Sequence, residues 1–257
     1  MEELEEVWER LKLNEEENVP ISINVGEEFL SKAKRSLVGK IIVDRTIGKE
    51  VVRRTMEKIW SVGKPLVFHE FRANCFIIMF INSADRNRVL RGKPWLFDNH
   101  LFVLKLFDGF TQPNKINFEE EEFWIQLHNL PLACMSKSVG ELIGRSVGEV
   151  VDVDVMEDGL GWGRFMRVRV VCDLRKAVAR GRTVNLLGRN MWVPLTYEKL
   201  PRICFKCGRI LHSEEGCLAV SGEEGGQFRP WLRAGLSKNF KSVGWWKKGT
   251  ESDDSGY

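Results

Sequence analysis

Cys204, Cys207, His212 and Cys217 stand in the spacing C-x2-C-x4-H-x4-C, within fourteen residues of a chain that holds only six cysteines and four histidines. Three soft thiolates and one imidazole form a closed tetrahedral set, which suits a structural zinc ion and leaves no open position for water or substrate. A two-residue gap lets Cys204 and Cys207 grip one ion from a single tight turn. Gly208 frees the backbone just after that turn, and Gly216 eases the approach of the last ligand. A segment this short buries no core of its own, so the metal is expected to supply most of its folding free energy.

This stretch resembles the zinc knuckle of retroviral nucleocapsid and retroelement proteins. There, an aromatic after the first cysteine and an apolar residue in the middle loop form a platform for an unpaired base. The resemblance places Phe205 and Ile210 in those roles, and Leu211 stands where those knuckles carry glycine. The neighbouring Arg209 is read as a phosphate contact.

A second candidate surface follows from alternation along two strands. Trp124, Gln126 and His128 share one face of a strand whose other face carries Phe123, Ile125 and Leu127. In the stretch from Arg164 to Cys172, Phe165, Arg167 and Arg169 share a face while Met166, Val168 and Val170 point the other way. If these strands are neighbours, Trp124, Phe165, Arg167 and Arg169 form an aromatic and cationic sheet surface of the kind that stacks bases and holds phosphates. A solvated sheet face explains the same pattern equally well. In the first half Asn74 occupies the corresponding aromatic position, so that sheet is the poorer candidate.

Catalytic readings find less support. Asp152 and Asp154 share a strand face and could hold a divalent metal, but no third carboxylate stands near them in sequence. His69, His100 and His128 have no serine or cysteine partner in a nucleophile motif. The chain is therefore expected to be a non-enzyme.

The elements that position these residues are read from hydrophobic period. A short helix is expected on Leu4, Val7, Trp8 and Leu11. From Leu37 the pattern gives a strand to Val43, a helix over Lys49 to Trp60, and strands from Leu66 to Phe71 and Cys75 to Ile81. A helix capped by Ser83 follows, ending before Gly92-Lys93-Pro94, and then a strand from Leu101 to Phe107. This order, β-α-β-β-α-β, is the ferredoxin-like, RRM-like α+β arrangement of an antiparallel sheet with helices on one face.

The same order begins again at Phe123. A helix opens at the capping box of Ser138 and Glu141, and strands follow over Glu149 to Val155 and Arg164 to Cys172. A short helix capped by Asp173 stops at Gly181, and a hairpin turns at Gly188 within Thr183 to Tyr197. The body is thus either two copies of one topology or one larger domain sharing a sheet. The expected divisions are an acidic leader (1–34), a first ferredoxin-like half (35–110), a second α+β half (111–198), the knuckle (199–220) and a flexible tail (221–257). In that tail Trp231, Phe240, Trp245 and Trp246 are interleaved with Lys and Arg.

Composition agrees with a binder of polyanions. Of 257 residues 43% are hydrophobic and 29% charged, as in a globular protein. No apolar run is long enough for a membrane helix, and the start Met1-Glu-Glu-Leu-Glu-Glu is unlike a signal peptide. The net charge of +3 hides an asymmetry: residues 1 to 30 hold ten Glu against Arg10 and Lys12, leaving −8 there and +11 on the remainder. Cys75, Cys134 and Cys172 read as buried small hydrophobes in a reducing compartment, hence an intracellular protein of nucleus or cytoplasm.

Four stretches also resemble a plant family: Leu37-Val-Gly-Lys, the run from Trp124 to Pro131, the run from Gly163 to Val170, and Gln227 to Ala234 beyond the knuckle. They are similar to plant retrotransposon-type, LINE-like proteins in which a domain of unknown function precedes a zinc knuckle, over about residues 35 to 235. The resemblance implies zinc and nucleic-acid binding, in an element or a host gene derived from one, with no catalytic residues. The resulting expectation is a zinc-dependent binder of single-stranded nucleic acid, RNA before DNA. The alternative is an adaptor that grips a protein partner through the knuckle and the aromatic tail.

Overall fold

The computed structural model describes residues 7–8, 10–113, 115–161, 163–212, 216–217 and 227–235. The helix expected around Leu4 lies largely outside these residues, as do Phe240, Trp245 and Trp246 of the tail.

The first half opens with α1 (Glu27–Ala33) and β1 (Ser36–Ile41), followed by α2 (Lys49–Trp60), β2 (Val67–Arg72) and β3 (Cys75–Met79). It closes with α3 (Ser83–Arg91), β4 (Trp95–Phe97) and β5 (His100–Leu106). The five strands form one antiparallel sheet in the order β2-β3-β1-β5-β4. Alternation assigns its two faces. Leu37, Ile41, Phe76, Ile78, Phe102 and Leu104 pack with Val52, Met56 and Trp60 of α2 and Val89 of α3 in one core. Gly39 sits on that same side because a Cβ there would come within 2.6 Å of Leu104 and 2.7 Å of Phe102.

The second half runs β6 (Glu120–His128), α4 (Lys137–Arg145), β7 (Glu149–Asp154), β8 (Phe165–Asp173), β9 (Gly181–Leu186) and β10 (Arg189–Tyr197). Its sheet has the order β7-β8-β6-β10-β9. Strand for strand this is the order of the first half, with the first strand of each unit central and the fifth flanked by a hairpin neighbour. The fold is therefore α+β with two ferredoxin-like sheets, and they are separate sheets.

The two halves share a core. Val38, Leu101 and Val103, on the helix-free face of the first sheet, are at most 2% exposed and join the cluster that contains Phe123, Ile125, Leu127 and Val168 of the second half. Burying three such aliphatic side chains contributes several kcal/mol, at roughly 1.5–3 kcal/mol each. An ion network reinforces the junction. Lys93 Nζ lies 3.2 Å from the buried Glu121 and 3.3 Å from Glu122, and Glu122 lies 2.7 Å from Arg169. Burial pushes the Glu121 carboxyl above its ordinary pKa, with Lys93 opposing the shift.

Several local expectations are corrected. The cap of α3 is Asn82, whose side chain accepts from the Asp85 N–H, and the cap of α4 is Ser136 rather than Ser138. Strand β4 follows Pro94 where only a stop was read; the Asp98-Asn99 turn, with both residues at positive φ, folds it onto β5. No helix forms after Asp173, because its carboxylate accepts from the backbone and side chain of Arg175 and the chain continues as a loop over 174–180. Asn74 is a turn residue at positive φ. Its side chain pins the preceding loop, accepting from Ile47 N–H and donating to Arg45 O.

Candidate metal centre and nucleic-acid interface

The knuckle starts with a tight turn in which Gly208 N–H donates to Cys204 O at 2.7 Å and Cys204 N–H to Arg209 O at 2.9 Å. Gly208 holds φ at +75° and Gly216 at +77°, a left-handed backbone that only glycine adopts freely. These turns bring one donor atom each from Cys204, Cys207, His212 and Cys217 to within 4.8 Å of one another. Two sulfurs bound to one tetrahedral zinc at ~2.3 Å stand about 3.8 Å apart, and Cys204 Sγ lies 3.7 Å from Cys217 Sγ. His212 faces Cys207 through Nε2, at 3.2 Å from Sγ. The residues fit a structural zinc.

One thiol of the set, Cys204, is prepared for it, whereas burial pushes the neighbouring Cys207 thiol up. Burial acts to raise the Cys204 pKa, but N–H groups of Cys207 and Lys206 and the neighbouring thiols more than offset this and bring it to about 6. By contrast Cys172, outside the cluster, is pushed up to about 12 by burial and is no thiolate near neutral pH. Cys75 is fully buried with its thiol also raised, as a core residue should be, while Cys134 and Cys172 are half-buried.

The knuckle is docked on the body. Leu211 N–H donates to Leu174 O at 2.9 Å and Val178 N–H to Gly208 O at 3.0 Å. Ile203, Ile210 and Leu211 pack against the core of the second half. Ile210 lines a cavity of about 200 Å³ with Phe123, Cys172 and Tyr197, on the side of the sheet that α4 covers elsewhere. In the first half two helices cover this side. In the second, α4 covers part of it, and the loop 174–180 with the knuckle covers the rest.

Residues 227–235 then return and close the assembly, so this part of the expected tail belongs to the body. The Phe228 ring lies against Gly208, where a Cβ would come within 2.3 Å of it, and the Arg180 guanidinium sits 5.5 Å from the Phe228 ring centre. Leu232 is completely buried, and Ala234 N–H donates to Tyr197 O at 2.8 Å beside a parallel bridge from Arg233 to Tyr197. The apolar residues within Gln227 to Ala234 were the available signal for this contact.

This geometry divides the knuckle residues by role. Phe205 is 51% exposed, with Lys206 and Arg209 exposed beside it. Ile210 is half-buried, packed against the core of the second half. Leu211 stands where related knuckles carry glycine because it meets the body.

The sheet face assembled by Trp124, Phe165, Arg167 and Arg169 also forms, since Trp124 pairs with Arg169 and His128 with Phe165 across β6 and β8. Its cations are already engaged. Arg167 donates from Nε and Nη2 to Glu198 at 2.8 and 2.9 Å and from Nη1 to Asp154 at 2.7 Å, with its guanidinium 4.5 Å over the Trp124 ring. Arg169 pairs with Glu122 at 2.7 Å. Phe165 tilts against His128, which contacts Thr196 and whose pKa burial lowers. The arginines face Glu122, Asp154 and Glu198, so a phosphate approaching them meets more carboxylates than free cations. The equivalent face of the first sheet is buried at Val38, Cys75, Leu101 and Val103. Asp154, one of the two candidate metal carboxylates, is committed to Arg167, and Asp152 accepts from the Val153 N–H.

The sequence carries two recognised regions. Residues 173–219 match the family described as zinc knuckle. That span takes in the loop on which the knuckle is docked. Residues 30–115 match a domain of unknown function, DUF4283, and cover the first half. The chain thus has a stretch that matches DUF4283 followed by one that matches a CCHC-type zinc knuckle, and the Cys/His cluster of the latter fits a bound zinc ion. It is 23% identical over 138 residues to the Arabidopsis thaliana protein described as "Uncharacterized protein At4g02000", an alignment spanning 52% of this chain and 43% of the relative. Among solved structures, the first two RRM domains of yeast poly(U) binding protein (Pub1) align at 12% identity with a TM-score of 0.21, covering 63% of this chain and 98% of that one. No helix among the described residues is long and apolar enough to cross a membrane.

Proposed function

We propose that this chain is a zinc-dependent, non-enzymatic binder of single-stranded nucleic acid, RNA in preference to DNA, of retroelement origin and acting in the nucleus or cytoplasm. One observation carries the reading: the turn between the ligands Cys204 and Cys207 presents Phe205 to solvent with Lys206 and Arg209 beside it. An aromatic face stacks on any unpaired base, and flanking cations neutralise its phosphates. The order of the two matched regions supports the retroelement origin. Free thiols, all six cysteines being unpaired, support a reducing compartment.

A salt titration of binding to short single-stranded RNA and DNA, with zinc content measured in parallel, tests the reading. Expected are one zinc per chain, lost in Cys207→Ala, and an affinity that falls steeply with salt as counterions compete. A parent protein that carries zinc and binds neither strand at low salt overturns it.

The alternative, an adaptor for a protein partner, is favoured by a different segment. Val19, Ile21, Ile23 and Val25 alternate in sequence along a segment without helix or strand and are all exposed. Affinity for a protein partner that is insensitive to salt would favour this second reading.

A further inference from the structure

We propose that the cleft between the two halves is a second contact site for the sugar–phosphate backbone of the same nucleic acid, an inference that rests on the nucleic-acid reading above. The cleft encloses about 390 Å³ at the point where β5 runs on past its last pairing with β4 at Phe102. Arg91, Lys93, Lys105 and Arg169 line it, and Glu122 is the one acidic residue in its lining.

Two of these cations form a fixed floor. Lys93 and Arg169 have side chains only 12% and 19% exposed, and Glu121 and Glu122 hold them in place. The other two are free to bind. Arg91, at the end of α3, and Lys105, on β5, make no ion pair among the described residues. Four cations against two carboxylates leave the site with an excess of positive charge that attracts a phosphate. The cleft is open, and Leu90, Leu104 and Leu106 line it beside the cations, which suits a chain lying across it better than an enclosed small molecule.

The site is mechanically joined to the knuckle. Lys199 Nζ donates to Gly92 O at 2.8 Å and Arg202 N–H to Asn99 O at 2.8 Å, so the segment leading into Cys204 is tied to the two turns that flank Lys93 and β4. A strand stacked at Phe205 and a strand lying in the cleft therefore meet one body.

The test compares the double variant Arg91→Ala/Lys105→Ala with Phe205→Ala and the parent, each in full-length zinc-loaded form, on a uridine 20-mer, a length chosen to be roughly twice one single-strand binding site. The double variant should retain its zinc and its melting temperature while the slope of log affinity against log salt falls by about 1.4, or ~0.7 per lost phosphate contact. Phe205→Ala should weaken binding at every salt concentration with the slope unchanged. A double variant with parental slope and affinity overturns the cleft proposal and leaves the knuckle reading standing. A parent that binds no RNA overturns both. Polyglutamate that competes with the RNA as strongly as polyuridylate of equal charge identifies an acidic-peptide site and also overturns the proposal.

Discussion

The guanidinium of Arg167 lies 4.5 Å over the ring of Trp124, and both oxygens of Glu198 hold it there. Tryptophan on a helix-free sheet face would ordinarily advertise a stacking site. Here the stacking position is taken by the protein's own cation, whose charge is matched by Glu198 and Asp154. The face stabilises the second half instead of offering itself to a ligand.

Arg167→Ala should therefore act on stability. It leaves Glu198 half-buried without its bidentate partner, at a cost of about 1–3 kcal/mol, read as a lower urea midpoint. Affinity for RNA should stay at the parental value. A loss of affinity with the midpoint unchanged would return this face to the binding site.

Two knuckle side chains, Phe205 and Ile210, should separate cleanly. Phe205→Ala removes an exposed ring and should cost roughly 1–3 kcal/mol of binding, about tenfold or more in affinity, with zinc and stability intact. Ile210→Ala removes a side chain packed against the core cluster that contains Phe123 and Tyr197 and should lower the melting temperature with binding retained. Calorimetric melting and RNA titration of both variants decide the assignment; reversed outcomes would mean that Ile210 faces the base.

Removing the metal should loosen more than the knuckle. Without a bound ion the turn at Gly208 loses its anchor, and with it the hydrogen bonds to Val178 and Leu174 and the seat of Phe228. Amide exchange with and without chelator should speed up in β8 and β10, while β1 and β3 keep their protection. Unchanged exchange throughout the second half would show that the body ignores the metal.

Glu121 contributes a specific pH dependence. Its folded pKa is raised, so the folded state favours the protonated form, and the contribution is fully present below the ordinary value of 4.5 and lost as pH climbs through the raised one. Glu121→Gln, neutral at every pH, should accordingly gain stability relative to the parent as pH rises from about 4.5. Paired denaturation curves at acid and slightly alkaline pH measure the difference; a variant whose relative stability falls with rising pH would show that Lys93 outweighs desolvation.

Much of this was legible in the chain. The period of Lys49 to Trp60 marks α2, and alternation in β6 and β8 correctly divides core from surface, because each strand has one buried face and one only half-buried. The four metal ligands are visible from spacing alone. What alternation does not carry is the partner across the strand. Asp154 and Glu198 lie 13 and 31 residues from Arg167, and nothing local to Arg167 reveals that both reach it. The covering of Val38, Leu101 and Val103 was hidden for a similar reason, since an aliphatic residue on the second face of a strand reads the same whether it meets solvent or another domain. Strand β4 was missed because Lys93-Pro94 masks it, although Asp98-Asn99 is a hairpin turn in its own right.

The seat formed by Gly208, Leu211 and Phe228 has a consequence for recognition. A knuckle on a loose tether must give up its freedom of orientation each time it binds, and that loss is subtracted from every contact it makes. One that is already bolted to a sheet has surrendered this freedom on folding. It should bind short strands more tightly than its few contacts suggest, and be less forgiving of strands whose curvature does not match the fixed bearing of Phe205.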